Sequence, residues 1–129
     1  MKRILILPAI ALAVTALFVV RGESQEPNKV KDFMRLKLKY AEGILEGLAI
    51  EDFEMIAKNS QDMSLISLDS TWNVLMTDEY AKQSAEFRRT ANSLTRAADD
   101  KNLDGAALAY VGMTLRCVNC HKYVRATHD

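Results

Sequence analysis

The stretch DGAALAYVGMTLRCVNCHKYVR, residues 104 to 125, combines a helical pattern with the only two cysteines of the 129-residue chain. Asp104 can cap a helix from Ala106 to about Val124, because an aspartate oxygen accepts hydrogen bonds from the free amides of a first turn. The inner face of this helix is predicted to hold Ala107, Val111, Thr114, Leu115 and Val118. We therefore expect a C-terminal helix with the cysteines near its end.

Three earlier segments show the same one-sided distribution of apolar residues. The first runs from Asn28 to Ala49, and its predicted inner face comprises Val30, Phe33, Met34, Leu38, Ala41, Ile44, Leu45 and Leu48. A second helix, capped by Asp52 and ending near Ile66, is predicted to bury Phe53, Ile56, Ala57, Met63 and Ile66. A third opens at Asp78, and its predicted inner face comprises Tyr80, Ala81, Ser84, Phe87, Ala91, Leu94 and Ala98.

These helices are predicted to form one domain. No proline follows Pro27, and the only long stretch rich in turn formers is SLDSTWNVLMTD, residues 67 to 78. Each helix has a single apolar stripe, which it must bury against its neighbours. Four such helices with mostly short connections favour an all-α fold, an antiparallel four-helix bundle with up-down-up-down order.

The N-terminus has a different character from the rest of the chain. Three residues, MKR, precede an uncharged apolar run from Ile4 to Val20, and the polar sequence RGESQEPNK follows. This pattern predicts a signal peptide, residues 1–22, with cleavage after Gly22, and leaves residues 23–129 as the exported domain. The alternative is an uncleaved N-terminal membrane anchor. In both cases the domain is expected in the periplasm or an equivalent compartment outside the cytoplasmic membrane.

Charge and motif content exclude several classes of function. The chain has 17 basic and 17 acidic residues, so no basic excess exists to neutralise a nucleic-acid backbone. No acid/base pair, nucleophile constellation or phosphate-binding loop is recognisable. We therefore expect neither nucleic-acid binding nor catalysis.

The motif CVNCH, residues 117 to 121, has the C-x-x-C-H spacing of a c-type haem attachment site. In such sites both cysteine sulfurs add to haem vinyl groups, and the histidine donates a nitrogen to the iron. On a helix, Cys117, Cys120 and His121 lie within one turn, so they can address one flat macrocycle. Export agrees with this interpretation, because c-type haem is attached on the far side of the membrane.

Three other interpretations of the cysteines remain open. A thioredoxin-like pair belongs at a helix N-terminus, whereas these cysteines are predicted near a C-terminus. Zinc would draw on Cys117, Cys120, His121 and His128, although structural zinc sites usually pair two separated knuckles. A plain disulfide is permitted by export.

CHKYVR, residues 120 to 125, resembles the end of class II cytochromes c, the family of cytochrome c′ and its low-spin, methionine-ligated relatives. The resemblance extends over residues 28–126 and includes GILEGLAIEDFEMIAKNS, residues 43 to 60. It implies a cytochrome c′-like bundle with one covalent haem c, His121 as axial iron ligand, and redox proteins as partners. Relatives often dimerise through their first two helices, which makes a homodimer one expected assembly. Membrane contact is expected only through the N-terminal anchor.

The resemblance also indicates which residue faces the open side of the haem. Counting back from Phe53, the matching position is Met34, whose thioether is a competent iron ligand. Plain core packing is the alternative role for this methionine, and Leu38 is the competing distal residue. Arg125 is a candidate partner for a haem propionate, or else an exposed, solvated arginine. Trp72 is expected to cover the open end of the bundle or to touch the haem.

Two functions follow, and the sixth ligand separates them. With His121 and Met34 both on the iron, the protein would be a single-electron carrier. With His121 alone, it would resemble a five-coordinate cytochrome c′ that binds nitric oxide or carbon monoxide.

Overall fold

The structure, a computed structural model, describes residues 26–127 and the side chains from residue 29 onward. Its four α-helices are α1, Glu26–Ile50; α2, Phe53–Ile66; α3, Asp78–Asp99; and α4, Leu103–Ala126. A short 3-10 turn, Ser70–Trp72, lies between α2 and α3, and residues 26–127 contain no strand. The predicted all-α fold of four helices is confirmed. The predicted leader, residues 1–22, and His128 lie outside the described residues.

The helices begin where short polar side chains cap them. Asp52 accepts a hydrogen bond from the Met55 amide at 2.9 Å, as predicted for the start of α2. Thr77 caps α3, one residue before the expected opening. The prediction that Asp104 caps α4 was wrong: Asn102 caps this helix and accepts from the Gly105 amide at 2.9 Å. Asp104 lies instead in the first turn, where a negative charge interacts favourably with the helix dipole.

Replacing Asn102 by alanine should lower the free energy of unfolding by about 1 kcal/mol, because the Gly105 amide loses its acceptor. Chemical denaturation would measure the change. Asn119→Ala is the matched control, since Asn119 is an exposed asparagine inside the same helix. Equal stability of the two variants would contradict the cap assignment.

Tight connections hold consecutive helices together. The Asp52 amide donates to the Gly47 carbonyl at 2.9 Å, and the Asn102 amide donates to the Ala97 carbonyl at 2.8 Å. The intervening Glu51 and Lys101 adopt left-handed backbone conformations, with φ of 56° and 54°. This is the Schellman arrangement, in which the chain reverses within two or three residues after a helix.

The core lies where the inner faces of all four helices and the 3-10 turn meet. Its buried apolar residues are Ile44, Ile56, Met63, Trp72, Tyr80, Phe87, Ala91, Leu94, Ala98, Ala106 and Met113. The predicted inner face of α3 is confirmed apart from Ala81, which is exposed. Trp72 is buried in this core, and its Nε1 donates to Ser84 Oγ at 2.8 Å.

The predicted inner face of α4 was wrong. Ala107, Val111, Thr114, Leu115 and Val118 are all exposed. The face turned toward the core carries instead Ala106, Ala109, Tyr110, Met113, Cys117, Cys120 and Val124. Apolar residues occur on every side of this helix, so periodicity alone could not select the buried side. This rotation directs both cysteines inward.

The inner face of α1 also differs from the prediction in part. Ile44 is buried as expected, but Leu38 is 60% exposed and Leu45 is 54% exposed. Lys37 occupies the central buried position, with 9% of its surface exposed. The pattern missed this residue because lysine counts as polar in any hydrophobic periodicity.

Within residues 26–127, no helix has the length and apolar character needed to cross a membrane.

Candidate functional site

Two cavities lie between α1 and α4, beside the cysteine motif. Cavity A, about 160 Å³, is lined by Val30, Met34, Lys37, Trp72, Val74, Tyr80, Cys120, His121, Val124 and Arg125. Cavity B, about 250 Å³, is lined by Met34, Lys37, Leu38, Ala41, Met63, Cys117 and His121. Each is smaller than the ~300–1,000 Å³ of a typical pocket for a drug-sized ligand. Three side chains line both cavities, so Met34, Lys37 and His121 form their common boundary.

The relative positions of α1 and α4 at this site are fixed by polar contacts as well as by packing. The Tyr110 hydroxyl donates to the Ala41 carbonyl at 3.2 Å, which joins α4 to α1 next to cavity B. The Tyr123 and Thr77 hydroxyls are 2.8 Å apart, which joins the end of α4 to the start of α3. The cysteine motif therefore lies on a helix that is anchored on both sides of the cavities.

Cys117 and Cys120 are free thiols, and both are half-buried. Cys117 faces cavity B and Cys120 faces cavity A. Burial raises the pKa of both thiols, and the nearby Lys37 charge opposes this rise. The two cysteines thus lie within one turn of the helix, and each sulfur faces a different one of the two adjoining cavities.

His121 follows Cys120 on α4 and lines both cavities, although the residue is exposed to solvent. Burial lowers the pKa of His121, and the charges of Lys37 and Arg125 lower it further. Each effect favours the neutral imidazole. A neutral ring has a nitrogen lone pair available to bind a metal.

On the α1 side, the structure distinguishes the two predicted distal residues. Met34 is half-buried and lines both cavities, opposite His121. Leu38 lines cavity B only and has 60% of its surface exposed. Of the two, Met34 is therefore better placed to meet a group held by His121.

Arg125 is exposed and lines cavity A near its rim. It makes no ion pair with any residue of the described range. All five residues singled out from the sequence, Met34, Cys117, Cys120, His121 and Arg125, thus border these adjoining cavities. Their roles remain predictions.

Lys37 is the site residue that the sequence analysis missed. Its Nζ lies 3.7 Å from the ring centroid of Trp72 and 5.0 Å from that of Phe87, which is a cation–π arrangement. Burial lowers the pKa of Lys37, and Cys117 and Cys120 partly offset this shift. One signal was available in the sequence, because Lys37 lies three residues after Met34 and seven before Ile44, at the spacing of a shared helical face.

Two further observations bear on what the site binds. Within residues 26–127, the structure forms no cluster of three or more histidine, cysteine, aspartate or glutamate side chains suited to a metal ion. A zinc site that also used His128 extends beyond the described residues. Comparison of the chain with protein-family models, curated proteins and solved structures finds no match.

Proposed function

We propose that this protein is an exported c-type cytochrome that carries single electrons on one covalently bound haem. The observation that carries the proposal is the grouping of two free thiols, an imidazole and a thioether around cavities A and B, between α1 and α4. These are the groups that haem c attachment and histidine/methionine ligation require. The lowered pKa of His121 favours its neutral, metal-binding form. The residues present therefore fit the cofactor that their spacing predicts.

Each site residue has a distinct task in this proposal. Cys117 and Cys120 would hold the haem through two thioether bonds, each formed by adding one S–H bond across a haem vinyl double bond. His121 on α4 and Met34 on α1 would bind the iron. Bound haem supplies reversible one-electron oxidation and reduction of its iron.

The surrounding side chains favour electron transfer over reaction with a substrate. Most of the cavity lining is apolar, which lowers the local dielectric constant and limits water around the redox centre. Two protein ligands leave no position for a substrate, so we propose a carrier rather than an enzyme. Redox proteins would be its partners.

The helix topology, the export of the chain and its assembly are also part of the proposal. We propose an antiparallel up-down-up-down bundle of the cytochrome c′ type. The tight reversals after α1 and α3, and the packing of each helix on the next, support this arrangement. The apolar leader supports export to the periplasm, by cleavage after Gly22 or with residues 1–22 kept as an anchor. A homodimer through the first two helices is the corresponding assembly.

A second candidate function is favoured by cavity B. This space adjoins Met34 and His121 and has the apolar neighbours Leu38, Ala41 and Met63. If Met34 only packs there, His121 would be the single axial ligand and the space would admit a small apolar gas such as nitric oxide or carbon monoxide.

The full chain, produced with its leader in a host that matures c-type cytochromes, tests the proposal. We expect one haem per chain in a pyridine haemochrome assay of denatured protein. We also expect a low-spin ferric spectrum with a thioether-to-iron charge-transfer band. A high-spin spectrum that shifts with carbon monoxide would support the gas-binding function, and absence of covalent haem would contradict both.

A further inference from the structure

Lys37 is a buried cation without an anion. It is 9% exposed, and its Nζ makes no hydrogen bond or ion pair with any residue in the described range. Burying an ammonium group without a paired anion is costly, because the group loses hydration and gains little in return. Contact with the Trp72 ring, whose centroid lies 3.7 Å from Nζ, offsets only part of that loss.

The position of Lys37 specifies where the missing anion belongs. Its side chain borders both cavities and extends from α1 toward Trp72 and Phe87, at the level of the cysteine motif on α4. No described carboxylate lines either cavity. Burial raises the pKa of the Cys117 and Cys120 thiols beside Lys37, which disfavours their anionic forms. A carboxylate that pairs with this ammonium would therefore come with the occupant of the cavities.

The chemistry of the cavity walls implies two properties of the occupant. The walls are mostly apolar, so the body of the molecule must be apolar to displace water favourably. The buried Lys37 ammonium favours a negative charge beside it, and the exposed Arg125 offers a second cation to cavity A. A flat apolar macrocycle with carboxylate side arms has both properties.

We propose that Lys37 is the internal binding partner of a haem propionate in this protein. The assignment rests on the proposed function, because it requires haem to occupy the adjoining cavities. The proposal gives the two cations of the site different positions. Lys37 contacts the propionate from inside the bundle, and Arg125 lies at the solvent-exposed edge. Lys37 is thus a positioning and tuning residue, since a positive charge beside the propionate partly cancels its field at the iron.

Comparison of holoprotein variants tests the assignment. Lys37→Met removes the charge while keeping an unbranched apolar side chain, and Lys37→Arg keeps the charge. Lys39→Met is the matched control, because Lys39 is exposed on the same helix. Resonance Raman spectroscopy reports the propionate bending modes, and redox titration reports the potential.

We expect Lys37→Met to shift a propionate bending mode and to lower the reduction potential, because the uncompensated carboxylate favours the ferric state. Lys37→Arg should retain most of the wild-type potential, and Lys39→Met should match wild type in both measurements. The axial-ligand bands should be the same in all four proteins.

Three results would overturn the assignment while leaving the haem protein intact. The first is a Lys37→Met protein that matches Lys39→Met in both measurements. The second is a change of axial-ligand bands in Lys37→Arg, which adds no thioether to the site, and this change would make Lys37 an iron ligand. The third is a wild-type potential that varies with free acetate at constant ionic strength, which would make a free anion the partner. Absence of covalent haem from wild type would instead overturn the proposed function, and this assignment with it.

Discussion

Replacing both Cys117 and Cys120 by alanine should abolish covalent haem attachment, because these are the only two thiols in the chain. Each single replacement should leave one thioether, on the remaining cysteine. The positions of the two thiols beside different cavities predict that neither can substitute for the other. Mass spectrometry of the denatured protein measures the attached group, and the pyridine haemochrome band distinguishes one thioether from two.

Val118→Ala is the matched control for the cysteine variants. Val118 lies between the cysteines on α4 but points outward, with 44% of its surface exposed. The variant should therefore carry haem at the wild-type level. Haem that stays with the double alanine variant after denaturation would contradict attachment through these cysteines. Loss of haem in Val118→Ala would show that the assay responds to helix disruption instead.

Replacing Met34 by alanine should convert the ferric protein from low spin to high spin. The thioether ligand is lost, and the shortened side chain enlarges the space shared by the two cavities. The reduction potential should fall by a substantial part of the ~0.8 V range over which axial ligands set haem potentials. The ferrous protein should then bind carbon monoxide. Absorption spectra, electron paramagnetic resonance and redox titration would measure these changes.

Two matched controls accompany the Met34 variant. Met76→Ala removes a methionine that is 92% exposed, and Leu38→Ala removes the other predicted distal residue, which is 60% exposed. Both should keep the low-spin spectrum. A low-spin Met34→Ala protein would contradict Met34 as the sixth ligand. A wild-type protein that is already high spin would support the gas-binding function.

The sequence predicted α2 and α3 well because their polar and apolar residues are separated. In α3 charged side chains alternate with an inner row such as Phe87, Ala91 and Leu94, so only one face can be buried. The start of α2 is predicted by Asp52, which caps the helix and is followed at once by Phe53. In such segments the local sequence alone predicts where the helix begins and which of its faces is buried.

The wrong prediction for the buried face of α4 and the failure to predict buried Lys37 have a different physical origin. On α4 apolar residues surround the helix, and its orientation follows from contacts such as the bond from Tyr110 to the Ala41 carbonyl, 69 residues earlier. The local sequence predicts an exposed lysine at position 37. Lys37 is buried because its ammonium group makes cation–π contacts with aromatic rings from two other segments. Both outcomes depend on residues distant in the chain, which a local pattern does not contain.

The buried location of Trp72 gives the protein an optical property of its own. This residue is the only tryptophan in the chain, is 2% exposed, and forms part of the wall of cavity A. Its indole is held by the hydrogen bond to Ser84 and lies beneath the Lys37 ammonium. Its fluorescence emission comes from one fixed environment, so quenching reports what fills the cavity, and a red shift reports the entry of water on unfolding.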